Sequence, residues 1–284
     1  MSKDTERRAI ADLVVNLGLG HPHDPTAAYA ISIAEAFDAH LAAVAFSYEP
    51  VVPPSVMGGI SAEAIDAQWA ASEKAADAAI KAFEEAARRE GIAAEHRKIK
   101  ASLGGAGDLF GRLARRFDLA VVGQAEPKHG AAQDLMIEGV LFGSGRPVVV
   151  VPYIQKDALK LNRVLICWDG SRPAARAIAD AMPFLGRAGA IDVVIIESGR
   201  HKSDEIPGID MGEHLARHGL KVEVKRIVST DVDVPNTILS HASDSGADFI
   251  VMGGFGHSRL REFVLGGATR GILGSMTVPT LMSH

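Results

Sequence analysis

What this sequence lacks narrows its function before any motif is read. It has one cysteine, Cys167, in 284 residues, which excludes a disulfide framework and a zinc site built on several thiolates. No stretch approaches 18 consecutive apolar residues, so no membrane-spanning helix is expected. Residues 1–8 carry both signs of charge and lead into no uninterrupted apolar segment. No secretory signal is therefore expected, and a cytoplasmic location is. Positive charge is not in excess: the formal net charge is −5, which argues against a general nucleic-acid binder. There is no Walker A lysine motif, no G-x-S-x-G elbow and no H-E-x-x-H pair, so the commonest nucleophile, zinc and P-loop chemistries have no anchor.

What is present is enough apolar material for a large core, 47% hydrophobic against 23% charged, in a chain long enough for two domains. An apolar run over 11–17 reads as a buried strand, and Asp24-Pro25 is an N-cap with proline at the first helical position. A helix is expected over 26–40 and a strand over 41–47. After a Pro/Gly-containing loop, an alanine-rich helix runs from Ser61 to about Glu90, with Gly91 as its stop. Its apolar stripe is Ile65, Trp69, Ala76, Ile80, Phe83 and Ala87. A more polar strand over 92–101 belongs nearer an edge. Gly104-Gly105-Ala106-Gly107-Asp108 is expected to lead into a helix over 109–116, followed by a strand over 118–123, a helix over 133–142 and a strand over 147–152. The series then repeats, with strands over 163–168, 191–196, 221–228, 248–253 and 279–282 and helices over 172–185, 209–218, 234–244 and 267–276. Apolar, non-alternating strands between helices mean a parallel sheet covered on both faces.

The two series match residue by residue in places. Phe117-Asp118-Leu119-Ala120-Val121-Val122-Gly123 corresponds to Ala247-Asp248-Phe249-Ile250-Val251-Met252-Gly253, and Arg146-Pro147-Val148-Val149-Val150 to Val278-Pro279-Thr280-Leu281-Met282. The expectation is an α/β chain of two repeated five-stranded, Rossmann-like domains in 3-2-1-4-5 order, spanning 1–155 and 162–284.

In open parallel sheets ligands bind beyond the carboxyl ends of the strands, where the strand order reverses. In the second series that point lies between Trp168-Asp169-Gly170-Ser171 and the glycine run that begins at Gly253 and resumes at Gly266-Gly267. Glycines admit close backbone approach, and free N–H groups at a helix start point at an anion. A carboxylate opposite can accept from a ribose hydroxyl or an adenine amino group. The plainer reading is that Asp169-Gly170-Ser171 is a turn and helix cap.

Asp169-Gly170-Ser171, the alanine-rich helix after it, Gly253-x2-Gly256-x9-Gly266 and the closing Val278-Pro279-Thr280-Leu281-Met282 resemble the universal stress protein family, in tandem form. The resemblance implies an adenine nucleotide, ATP or another, with Mg2+. It implies contact of Asp169 with adenine or ribose, Ile195, Ile196 and Met252 at the base, Gly253 and Gly256 along the phosphate chain, and Gly266-Gly267 at the terminal phosphates. Where the family pattern continues with Ser or Thr this chain has Gly267, and Thr269 stands two residues on as a substitute hydroxyl. The resemblance further implies that the fifth strands, 148–151 and 279–282, pair within one molecule as a pseudo-dimer, with room for a further homodimer. Rival readings are a nucleotide-free structural protein and a slow ATPase on the same site, for which His257 is the nearest base.

The first series has lost this pattern. Asn16-Leu17-Gly18-Leu19 offers no carboxylate, Gln124-Ala125-Glu126-Pro127 puts an anion where the second glycine would be, and Gly139 and Gly143-Ser144 are off-register. It is expected to bind no nucleotide in the same manner. His21-Pro22-His23-Asp24 is expected to be a polar loop rather than a metal site, and Gly18-Leu19-Gly20 lacks the third glycine of a dinucleotide turn. Cys167 is expected to be an inert core thiol. Arg259, Arg261 and Arg270 are either phosphate neutralisers or solvated.

Overall fold

The computed structural model describes residues 9–20, 23–50, 61–126, 131–198, 207–229, 233–255 and 267–284. Its contacts divide the chain into two compact units, residues 1–123 with 129–146, and 124–128 with 147–284.

The first unit holds β1 (Asp12–Asn16), α1 (Pro25–Phe37), β2 (His40–Tyr48), α2 (Ala62–Arg89), β3 (Ala94–Ala101), α3 (Leu103–Ala114), β4 (Leu119–Gly123) and α4 (Ala131–Gly143). Its strands are parallel in the order β3-β2-β1-β4. The polar β3 lies at the edge, as its composition predicts. The β1 side chains Leu13, Val14 and Val15 are fully buried, which is why the strand reads as a continuous apolar run. Asp24 caps α1, accepting from the N–H of Thr26 at 2.9 Å and of Gly18 at 2.8 Å. Both carboxylate oxygens are thus used within the loop. His21 lies outside the described residues. The helix expected to reach residue 40 ends at Phe37. Asp38 adopts φ 50 and closes it in left-handed geometry, a role usually given to glycine, so the sequence carried no stop signal.

A second correction concerns 104–108, which is not a loop. Ser102 caps α3 through the N–H of Gly105 at 3.2 Å, and the helix runs from Leu103. The reason is α4. A Cβ at Gly107 would stand 2.2 Å from the Leu135 carbonyl oxygen, one at Gly111 2.2 Å from that of Gly139, and one at Gly139 2.2 Å from that of Gly107. These glycines let two helix backbones touch, and Gly139 serves packing rather than a phosphate.

The second unit holds β5 (Val148–Val151), β6 (Arg163–Cys167), α5 (Arg172–Leu185), β7 (Ala190–Ser198), α6 (Pro207–Arg217), β8 (Val222–Ser229), α7 (Val234–Ser245), β9 (Phe249–Gly253), α8 (Gly267–Ser275) and β10 (Thr280–Ser283). Strands β8-β7-β6-β9-β10 are parallel, the 3-2-1-4-5 order expected. The strand β5 adds antiparallel to β10, with Val149 opposite Leu281. The expected pairing of 148–151 with the last strand is therefore present.

Two side-chain devices explain why the halves match in sequence. Asp118, just before β4, accepts from the N–H groups of Ala11 and Asp12, and Asp248, just before β9, accepts from those of Asn162 and Arg163. Each carboxylate ties the start of its unit's first strand to the start of the fourth. Each matched glycine then meets the helix that follows the first strand. A Cβ at Gly123 would lie 2.7 Å from Thr26 Oγ1, and one at Gly253 2.5 Å from the Ala174 nitrogen and 2.7 Å from the Pro173 carbonyl carbon.

Candidate functional site

In the second unit, β6 and β9 lie side by side with Cys167 paired to Met252. The chain leaves β6 at Trp168, whose N–H donates to the Val194 carbonyl on β7 at 2.9 Å. Asp169 thus stands just past the sheet, with the end of β7 on one side and that of β9 on the other. Ile195 is buried and Ile196 half-buried on β7, and Met252 is buried on β9. On the far side of β9, Gly253 pairs with Ser283, and the N–H of Gly254 donates to the Ser283 carbonyl at 2.8 Å. The sheet therefore gathers Asp169, Ile195, Ile196, Met252 and Gly253 at the carboxyl ends of three adjacent strands, at the reversal of strand order. Gly256 and Gly266 lie outside the described residues, as do His257, Arg259 and Arg261.

Asp169 is exposed, and its Oδ1 accepts the N–H of Ser171 at 2.9 Å. Gly170 between them has φ 74, the left-handed conformation this turn requires. Ser171 caps α5 through the N–H of Ala174 at 3.2 Å. The turn-and-cap reading and the exposed-acceptor reading are thus compatible: the turn holds the carboxylate at the mouth of the crevice.

The glycines divide by role. Gly253 is needed by packing, since α5 occupies the space a Cβ would take. Gly267, the first residue of α8, is exposed. Among the described residues no atom stands within 4 Å of a Cβ there, and its φ lies outside the left-handed region. Thr269 is buried, and its Oγ1 accepts the N–H of Phe255 at 3.1 Å. Its hydroxyl is thus first a clasp between the end of β9 and α8. Phe255 has φ 59, unusual for an aromatic residue and a sign of an over-determined local backbone. The imidazole of His284 bonds the Gly254 carbonyl at 3.0 Å. Sequence reasoning missed both anchors, because neither Thr269 nor His284 is spaced from its partner in any pattern a chain reading can see. Arg270 is exposed on α8.

The residues present fit an adenine nucleotide. There is an exposed carboxylate at the strand end, an apolar wall at Ile195 and Ile196, and a helix opening at Gly267. Cys167, beneath Asp169, is held as a thiol, its pKa pushed up to about 12 by burial first and by the Asp169 charge second. Such a thiol is not a nucleophile near neutral pH.

The position matching Gly254 in the first series is Gln124, which belongs to the second unit by its contacts. It is buried; its Nε2 donates to the Leu273 carbonyl at 2.9 Å and its Oε1 accepts the N–H of Tyr153 at 3.3 Å. A side chain spent in this way is a strut. The sequence also gave little notice of Asp192, one residue inside the apolar β7. It is 1% exposed and bonded by Arg163 at 2.9 and 3.0 Å and by Lys225 at 3.0 Å. Its cluster sits at the opposite, amino-terminal ends of the strands.

Comparisons with known proteins agree with this geometry. Residues 160–284 match the model of the universal stress protein family. A universal stress protein of Synechocystis is 25% identical over 180 residues, which cover 61% of this chain and 60% of that protein. The chain thus aligns with somewhat under two thirds of that relative's length. Among solved structures, a universal stress protein from Archaeoglobus fulgidus superposes with a TM-score of 0.72 at 16% identity, over 95% of this chain and 97% of that one. A protein of unknown function from Pseudomonas aeruginosa superposes with a TM-score of 0.59 at 15% identity, over 96% and 92%. At these identities the superpositions speak for the fold alone. No helix among the described residues is long and apolar enough to cross a membrane. Residues 160–284 are thus similar to the universal stress protein family, and they follow a first series of strands in the same order.

Proposed function

We propose that the crevice of the C-terminal half binds an adenine nucleotide, ATP with Mg2+ foremost, and that the protein acts as a stress-response or signalling module through that binding. The observation that carries this reading is that Asp169 and Gly253 follow the ends of the neighbouring parallel strands β6 and β9, with α8 opening at Gly267. Asp169 accepts from the ribose or the adenine amino group, and Ile195, Ile196 and Met252 line the base. Gly256, Gly266 and the N–H groups at the start of α8 take the phosphates. Gly253 contributes by letting α5 close on β9, and Thr269 by fixing the chain at Phe255. Residues 1–155 form a partner domain without a nucleotide of its own. The absence of a carboxylate at Asn16 and the engaged Gln124 side chain support that assignment.

The test is calorimetric titration of the full chain with MgATP and with AMP. Saturable binding at one site, lost in Asp169→Ala and in Gly256→Val with the fold intact, is expected. No heat at high micromolar nucleotide would refute the reading.

A further inference from the structure

Away from the crevice, and independent of the reading above, α6 ends in a pair of histidines. Its last turn carries His214 and His218, one helical turn apart and therefore on the same face. Both are exposed, and their ring centres stand 4.8 Å apart at 68°. This pair has a fixed backbone. The N–H of Leu220 donates to the Leu215 carbonyl at 3.1 Å and that of Gly219 to the Ala216 carbonyl at 2.9 Å, with Gly219 at φ 79. That double bond is a Schellman closure, which places His218 at the cap position. The imidazoles are thus held in register by the helix end itself rather than by a loop.

From these residues we infer that His214 and His218 form a two-histidine site for a divalent transition metal, zinc or nickel. Imidazole suits these ions better than the oxygen-seeking cations. Two histidines four apart on one helix face are a recurrent zinc-binding pair. An imidazole nitrogen lies about 1.1 Å from its ring centre, and two ligands of a tetrahedral zinc ion span roughly 3.3 Å at bond lengths near 2.05 Å. Rings 4.8 Å apart reach that span by rotation of exposed side chains, with no movement of the backbone. The ion would sit at a helix C-terminus, where the partial negative charge of the carbonyls favours a cation. The nearest like charge, Arg217, is paired with Glu213 at 3.1 Å. Among the described residues no third histidine, cysteine or carboxylate completes the set, so the remaining coordination positions are left to water.

The experiment is titration of the nucleotide-free full chain with Ni(II) and with Zn(II), read by calorimetry and by hydrogen exchange of the amides around 215–219. One saturable site is expected, with slowed exchange at that turn. His214→Gln and His218→Gln should each lower the apparent affinity by at least about tenfold, the scale on which even outer-shell partners act. The double variant should be no worse than either single one, because a lone imidazole cannot chelate. Single variants with unchanged affinity, or with independent and additive losses, would overturn the assignment. So would exchange protection that appears elsewhere in the chain. Nucleotide binding is not involved in any arm, so failure of one proposal leaves the other standing.

Discussion

Gly267→Ser is the substitution that most sharply tests how the crevice holds phosphate. In the family pattern a hydroxyl follows the third glycine, and this chain has none at that place. Among the described residues no atom stands within 4 Å of a Cβ at Gly267, and the backbone there is not left-handed, so no described neighbour opposes the side chain. Serine also suits the first turn of a helix better than glycine by up to about 0.5 kcal/mol, so the apo protein should be no less stable. A hydroxyl that donates to a charged phosphate oxygen contributes about 1.5–3 kcal/mol. Ordering its rotamer offsets part of this, leaving a gain of about 1–2 kcal/mol, or roughly a 5- to 30-fold lower Kd for MgATP. AMP, whose single phosphate stops short of α8, should gain little. Gly274→Ser, at the other end of the same helix and also with no described atom within 4 Å of its Cβ, is the control and should change neither. Competition calorimetry with ATP and AMP measures all of this. An unchanged or weaker ATP affinity in the serine variant would show that the phosphates do not reach the start of α8.

Three further outcomes follow from packing and charge. Gly139→Ala drives a methyl into the Gly107 carbonyl across α3 and α4 and should cost about 2–3 kcal/mol in denaturant unfolding, whereas Gly104→Ala, on the facing helix α3 with no described atom within 4 Å of its Cβ, should not destabilise. Asp192→Asn leaves Arg163 and Lys225 facing a neutral group. Breaking a buried pair costs about 3–5 kcal/mol, but these cations are 33% and 27% exposed and can rehydrate, so a loss of about 2–3 kcal/mol is expected in the same assay. Cys167, with its pKa raised from 9.0 to about 12, should resist thiol reagents at pH 8 until the chain unfolds. Its stabilising effect is full below pH 9 and is lost as the pH rises towards 12, because the unfolded thiol ionises first. Cys167→Ala should flatten that limb of the stability–pH curve.

The element order and the duplication were legible in the sequence because both rest on strong local signals. These were apolar runs of strand length, capping residues such as Asp24, Ser61 and Ser171, and the paired Asp118 and Asp248. What was not legible depended on contacts between distant segments. Gly107 looks like a loop residue and Gly139 like an off-register phosphate glycine until two helix backbones are seen to touch, and Gly253 looks like a phosphate glycine until α5 is found against it. Asp38 ends a helix in left-handed backbone geometry, a place where glycine is the usual signal. Asp192 hides in a strand, because its two cations arrive from β6 and β8. The adjacency of β7, β6 and β9, whose ends carry Ile195, Asp169 and Gly253, was legible from topology alone. What topology could not give was the division of labour, in which Gly253 serves packing and Thr269 holds Phe255, while Gly267 has no described atom within 4 Å of its Cβ position.

The most direct measurement of the central claim is a crystal structure of the full chain grown with MgATP. One nucleotide is expected, in the C-terminal half, its base beside Ile195 and Ile196, its ribose or amino group on Asp169 and its phosphates at the start of α8. The equivalent place beside Asn16 should be empty of nucleotide. Density at the Asn16 crevice instead, or none at Asp169 at millimolar ATP, would contradict the account.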